Sequence, residues 1–323
     1  MKKKNKEDLL ILEQALRATR QFFQERGFHE IVVPILNEGL PLEPNLYAFK
    51  THWHYAGKTH PRYLPTSPEA ALKKALAQGI EPVFAISPTF RDYDPDDEDH
   101  SPEFLMLEWY RANADYTDIM DEVEEYVIWI KHCLSKHCVQ NQQKNQKLQA
   151  LGLDRPWKKL SLEKLFFQAT GVELKNCLQF KEIQAVAKRL GYQTKQSNWE
   201  QLFNQIFADK IEPKLGSEPL FVTDYPAQIS PLCKIHASKP YLAERFEAYL
   251  GGAEIANGNN EQTNVKIIKS HIEREGLYRK QQKLSNHYQD EEFLSAIKVM
   301  HSNNTNYSGV GLGIERVIKL LRT

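Results

Sequence analysis

Residues 103–112 read EFLMLEWYRA, a segment in which two kinds of side chain alternate. Successive side chains of a β-strand point to opposite faces of the sheet. One face of this segment would be wholly apolar, with Leu105, Leu107 and Trp109. The other would carry a carboxylate and a phenol among apolar groups, namely Phe104, Met106, Glu108 and Tyr110. Because buried polar groups need partners, we interpret the first face as core and the second as a pocket floor. A solvent-facing sheet surface is the competing interpretation.

A second run, Val83–Tyr93, precedes this segment and is separated from it by the acidic stretch Asp94–Asp99. The pattern predicts two strands joined by a solvated loop. Arg91 would lie at the loop end of the first strand, opposite the pocket face. A guanidinium in that position suits a phosphate or a carboxylate ligand. A structural Arg–Glu pair would account for it equally well.

Another hairpin is predicted over residues 245–257, where two short runs flank Gly251-Gly252. With a two-residue turn, Glu247 faces Ala256, and Glu254 lies diagonally from Glu247 on the same face. Two carboxylates placed in this way repel each other unless a cation lies nearby. Mg²⁺ held by carboxylates and substrate phosphates is one solution, and compensation by a neighbouring basic side chain is the other.

The run YSGVGLGIER at residues 307–316 places Gly309, Gly311 and Gly313 at alternate positions. Its spacing differs from that of a dinucleotide-binding fingerprint. Alternate glycines on a strand leave bare backbone on one face, which lets a flat ligand approach, although close packing within the sheet also explains them. Arg316, at the start of the following helix, could meet a phosphate there.

Helical periodicity is clearest in four segments, 7–26, 67–78, 115–138 and 263–283. Two further strands are predicted at 28–33 and 220–223. Residues 139–218 are rich in Lys and Gln, and we interpret them as a helical insertion in a single domain spanning 1–323. Hairpins outnumber βαβ units, which favours an α+β fold with a mostly antiparallel sheet flanked by helices.

The composition is that of a soluble globular protein, with 41% hydrophobic residues and a balance of 42 basic and 42 acidic side chains. Zero net charge argues against broad nucleic-acid wrapping, which needs a basic face. No signal peptide or membrane span is recognisable, so a cytoplasmic protein is expected. Cys133 and His137 would share a helix face, but a metal site there needs two more ligands, and the end of an amphipathic helix explains the pair better.

Taken in order, these segments resemble the three signature motifs of the class II aminoacyl-tRNA synthetases. The first helix and strand are similar to the first motif, Phe90-Arg91 with residues 100–104 to the second, and Gly309–Arg316 to the third. Within that class, segments 104–110, 230–234 and 244–258 are similar to lysine-specific members. The resemblance extends over about residues 10–320 and implies the class II synthetase fold.

The nearest resemblance is to the stand-alone elongation factor P–lysine ligases, which are core-only relatives of lysyl-tRNA synthetase. Segments 66–69 and 106–111 are similar to the versions in that family. Because the first-motif helix begins by about residue 8, we expect no N-terminal anticodon-binding OB domain. The first motif builds a dimer interface in this class, so a homodimer is also expected.

The resemblance implies a role for each matching position. ATP would be bound, and its reaction catalysed, by Arg91 and Arg316. Further ATP-binding residues would be His100, Phe104, Gly311 and Gly313. Mg²⁺ would be held by Glu247 and Glu254. The amino acid would be bound by Glu69, Glu108, Tyr110, Asn257 and Glu261.

The implied function is activation of lysine or β-lysine by ATP and transfer to a lysine of elongation factor P. Transfer to tRNA and a catalytically weak lysine-binding role are the alternatives. The expected reaction is in-line attack of the lysine carboxylate on the α-phosphate, with the protein supplying position and charge rather than a nucleophile.

The sequence departs from the family pattern at several positions. Asp92-Tyr93 replace the usual Asn-Glu, and the acidic stretch 94–99 lacks the usual Arg. Asn259-Asn260 replace a pair that contains an aromatic residue, which should loosen the side-chain pocket. Gly311 stands where the β-lysine ligases have alanine, so this position is closer to the α-lysine enzymes.

Overall fold

The computed structural model describes residues 5–41, 43–44, 46–96, 100–135, 152–153, 155–195 and 197–322. Ten strands lie in this part of the chain: β1 (His29–Glu30), β2 (Lys50–Tyr55), β3 (Lys58–Tyr63), β4 (Val83–Phe90), β5 (Glu103–Ala112), β6 (Lys158–Ser161), β7 (Leu220–Thr223), β8 (Arg245–Leu250), β9 (Ala253–Asn260) and β10 (Tyr307–Gly313). Eight of them form one sheet in the order β1-β4-β5-β10-β9-β8-β7-β6, and β2 and β3 form a separate hairpin. Only the two outermost pairs of the large sheet are parallel. The predicted α+β class with a mostly antiparallel sheet is therefore confirmed.

The described α-helices are α1 (Lys6–Glu25), α2 (Glu69–Ala77), α3 (Tyr116–Ser135), α4 (Leu162–Thr170), α5 (Phe180–Arg189), α6 (Trp199–Ile206), α7 (Val265–Gln282), α8 (Glu291–Ser302) and α9 (Ile314–Arg322). None of them is both long enough and apolar enough to cross a lipid bilayer. α2 begins at Glu69, two residues later than the predicted start at 67, and its N-cap residue Pro68 supplies no side-chain cap. Ser67 Oγ accepts from the Glu69 backbone N–H at 3.3 Å.

The main core lies between the sheet and the pair α1 and α3. Leu107 and Trp109 are fully buried there, where Trp109 packs beside Phe23 and Tyr126. This confirms the apolar face predicted for β5. Since α1 and α3 cover that face, the residues that alternate with Leu107 and Trp109 point to the opposite side of the sheet.

Two smaller cores lie beside the main one. Helices α4, α5 and α6 pack with β7 and β8 around a core that includes Phe166, Phe203 and Tyr249. Helices α2 and α8 pack against the other end of the sheet around Leu72, Tyr110 and other buried side chains. The two groups of helices leave the middle of this face uncovered.

Several predicted elements differ in extent from the observed ones. The strand predicted at 28–33 is ladder-paired only at His29–Glu30, and Val32 is 92% exposed. An apolar run cannot reveal whether a partner strand lies alongside it, and here β4 supplies one only briefly. The hairpin β2–β3 and helices α6 and α8 were not predicted. Asp97–Asp99 and His137 lie outside the described residues.

Candidate active site

A single deep cleft of about 1320 Å³ occupies the uncovered middle of the sheet. Every residue that the sequence suggested for nucleotide, amino acid or metal binding lines this cleft: Glu69, Arg91, His100, Phe104, Glu108, Tyr110, Glu247, Glu254, Asn257, Glu261, Gly311, Gly313 and Arg316. The fold thus brings together side chains that are as much as 247 positions apart in the sequence. What each of them can bind depends on its contacts.

One end of the cleft is built around a lysine that the sequence analysis did not single out. Lys73 on α2 is 1% exposed, and its Nζ donates short hydrogen bonds to Glu69 Oε1 and Glu261 Oε2. Burial acts to lower the pKa of Lys73, but the carboxylates of Glu261 and Glu69 outweigh it and raise the pKa. Glu69 and Glu261, which the sequence analysis predicts to bind the amino acid, therefore share the ammonium group of Lys73.

The same end holds more buried acid than Lys73 can neutralise. Glu108 accepts a hydrogen bond of 2.6 Å from the Tyr110 hydroxyl. Burial and, next, repulsion from Glu69 raise the pKa of Glu108 well above its usual range. Burial raises the pKa of Glu261 to about 7 although Lys73 opposes it. A cationic ligand would relieve this excess of acid.

Asn259 contacts one of the acids predicted to bind the substrate. Its Nδ2 donates to Glu261 Oε1 at 2.9 Å and orients that carboxylate, a contact that the sequence analysis did not predict. The neighbouring Asn260 is 1% exposed and donates to Glu244 Oε2 at 2.8 Å. The pair therefore consists of one residue that lines the cleft and one that belongs to the framework.

A further carboxylate at this end, that of Glu43, also escaped the sequence analysis. Glu43 lies between β1 and β2 and lines the cleft. Burial and repulsion from Glu69 raise its pKa to about 8, while Arg91 and Lys73 act to lower it. No local pattern marks Glu43, because its position depends on contacts with distant parts of the chain.

The opposite end of the cleft is rich in arginine. Arg91 follows β4, and its guanidinium carbon lies 5.2 Å from the centre of the Phe104 ring. Arg316 on α9 donates from Nη1 to the backbone oxygen of Glu254 at 2.8 Å. Both guanidinium groups act on the Glu254 carboxyl. Arg91 and Arg316 thus share one cavity, as the proposed nucleotide site requires.

The predicted Gly-Gly hairpin forms, but its register differs from the prediction. Tyr249 faces Glu254 as expected, whereas Glu247 faces Asn257 rather than Ala256. The cause is a register shift, a β-bulge, beside Ala248 and Tyr249. The extra residue brings the Asn257 side chain to the cleft, where Arg245 Nε donates to its Oδ1 at 3.2 Å.

Glu247 is already well supplied with donors. Its Oε1 accepts from Arg245 Nη2 at 2.8 Å, and its Oε2 accepts from the hydroxyls of Tyr225 and Tyr249. The compensation by a basic side chain that the sequence left open is therefore present. Burial and, next, repulsion from Glu247 raise the pKa of Glu254 to about 8, which makes Glu254 the more available of the two for a cation.

Within the described ranges no group of three or more His, Cys, Asp or Glu side chains could hold a metal ion. The residues present fit a different arrangement, in which Glu254 and Glu247 supply part of the coordination and nucleotide oxygens supply the rest. Burial raises the pKa of Glu254, so a cation beside it would favour its charged form.

Two glycines of β10 differ in what they allow. A Cβ at Gly309 would lie 2.1 Å from Tyr110 Cδ1, so glycine is required for Tyr110 to lie over the strand. A Cβ at Gly311 would lie 3.7 Å from Glu108 Oε2 and 3.5 Å from Met106 Sδ, which are ordinary contacts. Gly309 therefore serves packing, and Gly311 leaves space beside the Glu108 carboxyl.

Comparison with known proteins gives matches along the whole chain. The family model of class II tRNA synthetases (D, K and N) matches residues 1–323. A lysine–tRNA ligase of Carboxydothermus hydrogenoformans is 30% identical over 98% of this chain and 62% of its own length. An elongation factor P–(R)-β-lysine ligase of Pasteurella multocida is 30% identical over 97% of this chain and 90% of its own length.

A second elongation factor P–(R)-β-lysine ligase, from Pectobacterium atrosepticum, is 31% identical over 94% of this chain and 87% of its own length. The chain therefore spans about three-fifths of the lysine–tRNA ligases that it matches and nearly nine-tenths of the elongation factor P ligases.

Replacing Lys73 by methionine should destabilise the protein strongly. The substitution leaves Glu69 and Glu261 buried without their shared cation, and removal of one partner of a buried ion pair costs about 3–5 kcal/mol. Urea unfolding at pH 8 would measure the loss, which should shrink at pH 6 as Glu261, whose pKa burial raises to about 7, takes up a proton. Lys74→Met, on the same helix but partly exposed, is the control. Equal stability of the two variants would contradict this role for Lys73.

The raised pKa of Glu43 also predicts how stability depends on pH. Its value of about 8 in the folded protein exceeds the usual 4.5, so the folded state holds the proton more tightly. The stabilisation from this group is complete below pH 4.5 and is lost as the pH rises through 8. The free energy of unfolding, measured with urea at pH 6, 7 and 8, should fall less steeply in Glu43→Gln than in the unmodified protein. Glu218→Gln, on an exposed side chain, should keep the original slope.

Proposed function

Since the chain belongs to the class II tRNA synthetase family of the D, K and N type, we propose that it activates lysine, or β-lysine, with ATP and transfers it to a lysine of elongation factor P. The observation that carries the proposal is the division of one cleft into an acid-rich end and an arginine-rich end. A dicationic amino acid and a polyanionic nucleotide would lie side by side in such a cleft.

In this proposal the amino acid is recognised by charge. Glu108, with Tyr110 beside it, and Glu261 receive the side-chain ammonium, and Glu69 lies near the backbone amine. Desolvated ammonium groups need such partners, because an unpaired buried charge is too costly. The raised pKa values of Glu108 and Glu261 support this assignment, since a cation at this end would favour the charged form of both acids.

The nucleotide is assigned to the other end of the cleft. Phe104 would stack on adenine, the bare backbone at Gly311 and Gly313 would let the nucleotide lie close, and Arg91 and Arg316 would neutralise the phosphates. His100, an exposed residue at the rim of the cleft, is assigned to the phosphate side. Asp94 also lines the cleft, so an acidic group would stand near the bound phosphates.

Members of this family use ATP and typically a divalent metal. Glu254 and Glu247 are the residues proposed to hold Mg²⁺, which would neutralise phosphate charge when bound. Arg245, Arg316 and Arg91 all act electrostatically on the Glu254 carboxyl. This chain's own contribution is to hold Arg91, Arg316 and the two carboxylates on the lining of one cleft.

The proposed reaction has two steps. A carboxylate oxygen of lysine attacks the α-phosphorus of ATP, a new P–O bond forms, and the bond to the leaving pyrophosphate breaks. An acceptor amine then attacks the carbonyl carbon of the adenylate and AMP leaves. No side chain of the protein needs to act as a nucleophile, because catalysis by position and charge is sufficient for this chemistry.

Elongation factor P is favoured as acceptor because segments 66–69 and 106–111 resemble the ligases that act on it, two of which are 30% and 31% identical to this chain. A tRNA acceptor is the second candidate, supported by the similarity to lysine–tRNA ligases over most of this chain. Both acceptors belong to translation, so the proposed site of action is the cytoplasm. A catalytically weak lysine-binding protein is the third possibility, and the exchange assay below separates it from the first two.

A homodimer is part of the proposal. β1 lies at an edge of the large sheet, and the chain after it exposes Val32 at 92% and Leu36 at 59%. Apolar groups beside an open sheet edge are typical of a surface that another chain covers. This segment is the one that resembles the dimer-forming first motif.

The proposed activity predicts lysine-dependent exchange of pyrophosphate into ATP. Glu254→Gln should lower the exchange rate about 10²- to 10³-fold, because charge near the phosphates acts chiefly in the transition state. Glu218→Gln, far from the cleft, should leave the rate unchanged. Absence of exchange with any amino acid in the unmodified protein would favour the lysine-binding role. Mass spectrometry of elongation factor P and charging of a tRNA transcript would then identify the acceptor.

Gly311→Ala should change the preference between lysine and (R)-β-lysine. The added methyl group fits without a clash and fills space beside Glu108 and Met106. We expect the ratio of kcat/KM for lysine to that for (R)-β-lysine to fall about tenfold, since one methyl group in a pocket is worth about 1–3 kcal/mol. Gly309→Ala is not a suitable control because it collides with Tyr110. An unchanged ratio in exchange assays would rule out Gly311 as an isomer determinant.

A further inference from the structure

Arg279 on α7 is a fully buried arginine whose guanidinium is directed at the segment that carries Glu43. Its side chain is 0% exposed, and its Nη2 donates to the backbone oxygens of Glu43 and, at 2.8 Å, of Leu46. Its Nε donates to Glu275 Oε1 at 2.7 Å, and its guanidinium carbon lies 4.7 Å from the centre of the Tyr47 ring. A buried guanidinium with these partners fixes the positions of the Glu43 and Leu46 backbone oxygens.

The same segment is fastened at both of its ends. At the start, the Leu40 backbone N–H donates to the Tyr288 oxygen at 2.9 Å, and a Cβ at Gly39 would lie only 2.6 Å from that oxygen. At the end, the Asp92 backbone N–H donates to the Tyr47 oxygen at 2.8 Å. Asp92 directly follows Arg91, so the segment is tied to the strand end that carries a candidate catalytic arginine.

The environment of the Glu43 carboxyl indicates which part of a ligand it faces. Its strongest electrostatic neighbours are Glu69, Arg91 and Lys73. Glu69 is the acid assigned to the backbone amine of the amino acid. Arg91 lies where the two ends of the cleft meet, since its Nε donates to the Thr66 oxygen, close to Glu69, at 3.5 Å. Glu69 already shares Lys73 with Glu261, and Glu108 accepts from Tyr110. Glu43 is thus the carboxyl at this end best placed to accept a new ammonium.

We propose that Glu43 binds the backbone-side ammonium of the amino acid substrate and that Arg279 is the positioning residue that holds Glu43 at the pocket. The proposal rests on the proposed lysine activation and adds to it a contact with the backbone-side amine. Lysine carries this amine on its α carbon and β-lysine carries it on its β carbon, so the contact depends on the isomer. Helix α7 and residues 283–289 would then support the substrate site indirectly, because they contact the backbone on either side of Glu43.

The test compares lysine with 6-aminohexanoate, which has the same carboxylate and side-chain ammonium but no backbone amine. Calorimetry measures the binding of both compounds. In pyrophosphate exchange, lysine is tested as the substrate and 6-aminohexanoate as a substrate or an inhibitor. Glu43→Gln should weaken lysine binding about 10- to 100-fold, in line with a lost charged hydrogen bond, and change 6-aminohexanoate less than about threefold. The KM for ATP should stay unchanged.

Arg279→Lys should show the same pattern more weakly, because lysine keeps the charge but cannot span two carbonyl groups. Arg274→Lys, an exposed position on the same helix, is the matched control and should match the unmodified protein. Thermal melting of each variant shows whether it is folded. If Arg279→Lys does not fold, the comparison of lysine with 6-aminohexanoate in Glu43→Gln tests the role of Glu43 alone.

Equal weakening of both ligands in Glu43→Gln would overturn the assignment, since the loss would then not depend on the backbone amine. Unchanged lysine binding in Glu43→Gln would overturn it as well. An unmodified protein that neither binds nor activates lysine would instead overturn the proposed function, and this assignment with it.

Discussion

The ion pair that Lys73 makes with Glu69 and Glu261 is the constraint on which the acid-rich end of the cleft depends. It connects Lys73 in α2 with Glu261, the residue after β9, and the two are separated by 188 residues in the chain. Charges removed from water are tolerated only in close, well-oriented arrangements. The pair therefore requires α2, β9 and the underlying β5 to keep their relative positions, and those elements also carry Glu108 and Tyr110.

This arrangement explains how a pocket can hold several acids and still be part of a folded protein. One internal cation neutralises part of the charge, and protons on acids with raised pKa values neutralise more of it. A ligand with two ammonium groups could replace those protons. We therefore expect the pocket to select cations because its own charge is incompletely balanced, and not because it presents a set of ionised carboxylates.

The arginine-rich end follows a similar principle with the opposite balance. Arg245 and two tyrosines donate to Glu247, whereas burial keeps the pKa of Glu254 raised although Arg245, Arg316 and Arg91 act to lower it. The β-bulge in the Gly-Gly hairpin sets this pattern, because it places Asn257 beside Arg245 and sends Ala256 to the core. A single extra residue thus determines which side chains meet at the cleft.

Local sequence patterns were enough to predict several elements. Alternation in β5 separated Leu107 and Trp109 from Glu108 and Tyr110, the Gly-Gly pair located the hairpin turn, and the motifs in order indicated the class of fold. Contacts between distant segments set the features that could not be predicted: the bulge beside Tyr249, the burial of Lys73, and the contact of Arg279 with the Glu43 backbone. The alternation of side chains along a strand and the residues that form a turn can be recognised from neighbouring positions. The balance of charge in a cleft arises only when segments from several parts of the chain enclose the same space.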